Sequence, residues 1–328
     1  MKLSAIAKAV AVIAPNHSIL IYGPPKSGKT KLVGTAAKIP EVKRIFWFDA
    51  ENGIETLLHM GLTEEELDKV TVFRLPDTRD NPVAIETLLK SFSSRTPIKV
   101  CDMHGKVACT ECSKAGNSFT EFCLSSLTHD DLVVIDSGSQ LGDSALNAAC
   151  LGKDPSYKPG WDEYGLQGKW LGDILSVIQQ AKHTNFVVIT HEITLEDDDK
   201  KDKVFPLMGS KNFSMKVAKY FGTVVYVHKK MNKHVAGSSS TYRSDVLTGS
   251  RVNATLEKFS EPDMRGILIE GGILKSTPME TKESLSSGKE VDSGNQQPAS
   301  EHRAVVASSN SSRPLTLAEK LAAKKAAA

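Results

Sequence analysis

"IYGPPKSGKT", residues 21–30, is the stretch on which the fold turns. Gly23, Pro24, Pro25, Lys26, Ser27, Gly28, Lys29 and Thr30 match the phosphate-loop pattern G-x-x-x-x-G-K-[ST] without a gap. Glycines let successive backbone N–H groups curl around phosphate oxygens, and a helix opening at the loop adds its positive dipole end. The apolar run 19–22 before the loop reads as a buried strand and 31–38 after it as a helix, the context this motif needs. The pattern assigns Lys29 to the β- and γ-phosphates of ATP and the Thr30 hydroxyl to Mg²⁺. Such loops serve kinases, motors, switches and recombinases alike. What the nucleotide is for has to be read further along the chain.

Outward from the loop, apolar runs alternate with helical spacing. Residues 45–48, 70–74, 132–135, the run in "NFVVITHE" and that in "GTVVYVHKK" read as strands. Segments around 63–69 and 84–92 read as helices, as does "KWLGDILSVIQQAKH", where Trp170, Leu171, Ile174, Leu175 and Ile178 share a face. Nearly continuous Val/Ile/Phe strands between helices describe an α/β fold, a mainly parallel central sheet flanked by helices. "YRSDVLTGSRVNATLEKF" and "GILIEGGILK" read as strands of a final, partly antiparallel section. We take 1–275 as one ATPase domain with an insertion at 95–125. Residues 276–313 form a serine-rich linker, too poor in apolar residues to offset ordering entropy. Residues 314–328 read as a short capped helix or solubilising tail.

Lys and Arg (41) nearly balance Asp and Glu (39), giving a net charge of +2, so a nucleic-acid surface has to be local. No apolar run reaches the roughly 18 residues of a membrane span. The leading "MKLSAIAKAVAVIAP" has a faint signal-peptide look, but Lys8 interrupts it and β-strand residues follow at once. It reads as a first helix, and the protein as cytoplasmic.

In open parallel sheets the ligand sits at the carboxyl ends of strands. Three residues stand there. Asp136, closing "LVVID", is a candidate Mg²⁺-shell carboxylate, or else a strand-ending aspartate that caps a turn. Glu51, in "FWFDAEN", could orient and deprotonate water, or be a surface glutamate. His191, ending "VVITH", could sense the γ-phosphate, or simply bond a neighbouring strand.

"GPPKSGKT", "FWFDAEN", "LVVIDS", "FVVITHE" and "GSKNFSMKVAKYFGTVVYV", in that order, resemble the RecA-type recombinases over roughly residues 15–275. They are most similar to the short, core-only AAA-type versions carried by bacteriophages. The resemblance implies a RecA-like P-loop fold, with Glu51 as the water-activating glutamate and Asp136 as the Walker B acid. It places His191 where the family carries a glutamine that couples nucleotide to DNA. It also implies single-stranded DNA as partner, a homo-oligomer (filament or ring), and two DNA-binding loops after the third and fourth strands. The first would be "GDSALNAACLGKDPSYKPGWDEYG", mixing Lys153, Tyr157, Lys158, Trp161 and Tyr164, suited to stacking bases and neutralising phosphates or to packing the loop on its domain. The second, "ITLEDDDKKDKVFPLMGSKNF", has Lys200, Lys201, Lys203 and Lys211, but also the acidic run 196–199, which repels a phosphate backbone. Arg243 and Arg251 are candidates for contacts with a neighbouring protomer's nucleotide, or ordinary surface arginines.

The insertion stands apart from this resemblance. Cys101-x-x-His104 and Cys109-x-x-Cys112 are two tight pairs of the kind that close structural Zn²⁺ sites, with Cys123 as a spare ligand; a metal-free loop is the other reading. The sequence as a whole reads as an ATP-dependent recombinase that anneals or exchanges DNA strands, with hydrolysis driving assembly and release. The tail is a candidate contact for a single-strand-binding protein. A hexameric helicase on the same fold, or a switch or scaffold with little hydrolysis, are the alternatives; Glu51 argues against a kinase.

Overall fold

Each core strand buries both of its faces. In β1 (Ser18–Tyr22), Leu20 and Tyr22 belong to one apolar cluster and Ile19 and Ile21 to the opposite one, all four fully buried. β2 (Arg44–Asp49) repeats this with Phe46 and Phe48 against Ile45 and Trp47. That is why these strands are unbroken in Val, Ile and Phe rather than alternating with polar residues. The computed structural model describes residues 18–181, 183–197, 200–239, 242–251, 259–270 and 274. The leading segment 1–15, the linker 276–313 and the tail 314–328 lie outside them.

Along the chain, α1 (Lys29–Gly34) continues into a short 3₁₀ turn, Thr35–Lys38. After β2 come the short helices α2 (Glu55–Leu58) and α3 (Glu64–Asp68), the second closed by a Thr63–Glu66 capping box, and then β3 (Val70–Arg74). α4 (Val83–Ser93) leads to the insertion: β4 (Ile98–Cys101), α5 (Thr110–Ala115) and β5 (Phe119–Phe122). β6 (Asp131–Asp136), α6 (Gly138–Ala149), α7 (Trp161–Gln180) and β7 (Asn185–Thr190) follow. A hairpin, β8 (Glu192–Glu196) and β9 (Asp202–Pro206), precedes α8 (Lys211–Ser214) and β10 (Thr223–Lys230). The last elements are β11 (Lys233–Gly237), two-residue strands β12 (Gly249–Ser250) and β13 (Phe259–Ser260), and α9 (Met264–Glu270).

The sheet runs β13-β11-β10-β1-β7-β6-β2-β3, with β12 also on β10. The six strands from β10 to β3 are parallel, and β11, β12 and β13 pair antiparallel. This is the RecA-like P-loop arrangement. β1, which delivers the phosphate loop, has as neighbours two strands that come much later in the chain. One sheet face is covered by α4, α6 and α7, the other by α1 and α9.

Three expectations need correction. Residues 266–270 are helical, not a strand: Met264, Ile267 and Leu268 lie at i, i+3, i+4 and pack beside α1, so a short apolar run takes the helical period here. Of 242–259, only β12 and β13 form strand, and 252–258 lie outside the described residues. The first DNA-loop segment is mostly α6 and α7, with only 150–160 between them as loop, and much of the second is the β8–β9 hairpin.

Candidate active site

The phosphate loop is shaped by two glycines that no other residue could replace. Gly23 has φ +154° and a Cβ there would lie 1.9 Å from the Val227 carbonyl oxygen; Gly28 has φ +91° and a Cβ would meet the His234 ring at 2.6 Å. His234, on β11, faces the Ser27 carbonyl through Nδ1 at 2.6 Å. It clamps the loop from the hairpin side. Lys29 is buried, and its ammonium donates to the carbonyls of Gly23 (2.9 Å) and Pro24 (2.8 Å). Burial lowers its pKa to about 8, against the pull of Asp136, Glu51 and Glu192. The Ser27 hydroxyl is buried and has no partner among the described residues. A buried cation, an orphaned hydroxyl and an open glycine loop fit a nucleotide's phosphates. A cavity of about 540 Å³ opens alongside, between Gly28, Lys31, Thr35 and the Asn232–His234 turn.

Beside the loop the carboxyl ends of β2, β6 and β7 stand in register, Asp49 opposite Asp136 and Asp136 opposite Ile189. The Thr30 hydroxyl donates to Asp136 Oδ2 at 2.9 Å. Burial, with Asp49 and Glu51 nearby, pushes the Asp136 carboxyl up to about 7, opposed by Thr30 and Lys29. A buried carboxylate short of positive charge is suited to a divalent cation. Gly53 marks the place: a Cβ on it would come 3.1 Å from Asp136 Oδ2 and 3.5 Å from Thr30 Oγ1. Those residues fit Mg²⁺. Asp49 has a different task, since its carboxylate accepts from the backbone N–H of Gly53 (2.9 Å) and Ile54 (3.2 Å) and folds the turn that presents Glu51.

Glu51 is held from both sides. The Ser137 hydroxyl donates to Oε1, and His191 Nε2 lies 3.2 Å from Oε2. Burial alone would raise its pKa, but the His191 and Ser137 hydrogen bonds and Lys29 bring it below the usual glutamate range. It is therefore ionised at neutral pH, with its side chain 29% exposed. Ser137 also N-caps α6 by accepting from Gln140 N–H. His191 donates its own N–H to Ser139 Oγ, which donates to the Leu207 carbonyl, and Leu207 N–H returns to the His191 carbonyl. Glu51 and the base of the β8–β9 hairpin thus share one network through His191. His191 Nδ1 is buried and has no partner among the described residues.

Of the candidate DNA residues, Trp161 is 92% exposed at the start of α7, and Lys158 and Lys211 are exposed. Lys153 lies over the Tyr157 ring at 5.2 Å, while the Tyr157 hydroxyl donates to Glu163 and Arg79 holds the loop through the carbonyls of Asp154 and Pro155. Tyr157 thus partly serves the loop itself, whereas Trp161 does not. Asp197, in the acidic run, accepts from Lys201 N–H (2.9 Å) and pairs with Lys203 (2.7 Å), so this carboxylate is turned on its own hairpin. Arg243 pairs with Asp245 and lies over Tyr226, and Arg251 donates to the Lys219 carbonyl. In the insertion, ligand atoms of Cys101, His104, Cys109 and Cys112 gather within 4.8 Å of one another, while Cys123 stands apart beside Ser125. Sequence reading missed His234 and Gly53 as site residues, and Ser137 enters it only as part of "LVVIDS", without a role of its own.

The AAA domain family matches residues 15–257, about three quarters of the chain. The chain belongs to that family. With the loop and sheet above, it is a RecA-like ATPase. No curated protein matches it. Among solved structures it is similar to the RadB recombinase, at 17% identity and a TM-score of 0.36, over 70% of this chain and 84% of that one. It is also similar to an ATPase from the type III secretion system of pathogenic bacteria, at 12% identity and a TM-score of 0.38, over 75% of this chain and 60% of that one. Among the described residues no helix is long and apolar enough to cross a membrane.

Proposed function

We propose that this ATPase is a cytoplasmic, single-stranded-DNA-binding recombinase that assembles as a homo-oligomer and uses hydrolysis to cycle between assembly and release. The observation that supports it most is the Glu51–His191 contact at 3.2 Å, because it joins a water-activating carboxylate to the base of the hairpin in the family's second DNA-loop position. A scaffold has no use for coupling such a carboxylate to a loop.

In this reading Lys29 leaves its loop carbonyls to bind the β- and γ-phosphates, and the Ser27 hydroxyl and loop N–H groups complete the cradle. Thr30 and Asp136 would hold Mg²⁺, which when bound would supply positive charge against that developing on the phosphates. Glu51, kept ionised, accepts a proton from a water in line with the γ-phosphorus. The cavity beside Gly28 has room for the nucleoside. Lys153 and Lys158 on the 150–160 loop and Trp161 at the start of α7, with Lys211 beyond the hairpin, contact DNA by stacking and charge. The tail's contact with a single-strand-binding protein belongs to the same proposal.

The test is a pair of titrations on the Lys158→Ala/Trp161→Ala variant. Affinity for a fluorescent single-stranded oligonucleotide should fall about tenfold or more, stacking alone being worth about 1–3 kcal/mol per base, while nucleotide affinity stays at the wild-type value. Unchanged DNA affinity would remove this loop from the interface.

A further inference from the structure

The insertion has almost no hydrophobic core of its own. Its interior cluster is Cys101, Cys109 and Cys112, with only Phe119 packed against them, while Val100 and Phe122 turn into the main core instead. Three buried thiols and a half-exposed imidazole are a poor basis for folding a loop of this length. They are a good basis for a metal. Nδ1 of His104 lies 3.5 Å from Cys109 Sγ and 3.3 Å from Cys112 Sγ, and all four ligand atoms fall within 4.8 Å. Tetrahedral zinc, with Zn–S of about 2.3 Å and Zn–N of about 2.0 Å, needs edges of roughly 3.5–3.8 Å. The present separations, 3.3 and 3.5 Å from the imidazole and up to 4.8 Å within the group, bracket those edges.

We propose that Cys101, His104, Cys109 and Cys112 hold one structural zinc ion that organises the insertion and fastens it to the ATPase body. Four protein ligands leave no open coordination position, so the role is architectural rather than catalytic. Asn117 Nδ2, 3.6 Å from Cys112 Sγ, supplies a hydrogen bond to a ligand sulfur, the kind of outer contact that orients metal ligands. The fastening lies next to His104. Gly105, at φ +65°, sits where a Cβ would be 2.4 Å from the Arg74 carbonyl oxygen, and its own carbonyl accepts from the buried Thr87 hydroxyl at 2.6 Å. The metal loop is thus pressed onto α4 and the end of β3.

The experiment is metal analysis of the full chain, expressed with zinc in the medium and purified under reducing conditions. About one zinc per chain is expected, lost in Cys112→Ser and kept in Cys123→Ser, whose sulfur lies outside the group. Because Cys112→Ser can fail to fold, the wild-type protein gives a second reading. Replacing zinc with Co²⁺ should produce the absorption of tetrahedral thiolate cobalt, and chelation should raise hydrogen exchange in 98–122 while β1 and β6 stay protected. No zinc in wild-type protein, zinc retained in Cys112→Ser, a Cys109–Cys112 disulfide in its place, or exchange unmoved by chelation would each overturn the proposal.

Discussion

Gly53 shows how much a single hydrogen atom decides at the residue scale. Its Cα faces the gap between Asp136 and Thr30, and a methyl group there would sit 3.1 Å from the carboxylate. Gly53→Ala should leave the fold intact but crowd the cation. The Mg²⁺ concentration for half-maximal nucleotide binding should rise about tenfold, the scale on which outer-shell changes disturb metal sites. A fluorescent-nucleotide titration at varied Mg²⁺ measures this, and an unchanged requirement would move the cation elsewhere. Lys29→Ala differs in kind, since it should weaken nucleotide binding at any Mg²⁺ concentration. Gly28→Ala should lose both binding and stability, because it strains a left-handed backbone and collides with His234.

At the scale of elements, the Arg44–Asp131 pair fixes where β2 and β6 begin. Asp131, buried, accepts from Arg44 Nε (2.8 Å) and Nη2 (2.7 Å) and from Thr128 N–H (2.7 Å), and Arg44 is its register partner. Burial opposes its charge, but Arg44 and Thr128 hold its pKa below the ordinary aspartate value. A lowered folded pKa stabilises the fold above the unfolded value, near 3.8, and that contribution disappears as pH falls through the folded one. Asp131→Asn should therefore cost about 2 kcal/mol at pH 7, and the gap to wild type should narrow below about pH 4. Arg44→Ala should cost less, about 1 kcal/mol, because its side chain is half exposed. Denaturant unfolding across pH checks both, and a pH-independent gap would contradict the assignment.

The same scale shows what a sequence can reveal. β1, β2, β6, β7 and β10 were legible because strands buried on both faces carry an unbroken apolar run. Asp136 closes β6 and Glu51 stands two residues beyond β2, and the ends of such strands are where a sequence offers candidates. Residues 264–270 were not, since a short apolar run fits either period until its packing partner is known. His234 reaches Ser27 across 207 positions and leaves no local trace, and the Ser137 hold on Glu51, though Ser137 follows Asp136 in "LVVIDS", needs the β2–β6 register.

For the whole molecule, His191 joins Glu51 to the base of the β8–β9 hairpin. If DNA binding neutralises phosphates, affinity should fall linearly with salt on a log–log plot, and removing one contacting lysine, such as Lys158, should lower the slope by about 0.7. The most direct test of the central claim is ATP turnover by wild type and Glu51→Gln, each with and without single-stranded DNA. The account predicts wild-type turnover stimulated by DNA. In Glu51→Gln, ATP should bind as before, turnover should drop about 100-fold or more, and DNA complexes should last longer. Turnover by Glu51→Gln at the wild-type rate with DNA present would contradict the mechanism at its centre.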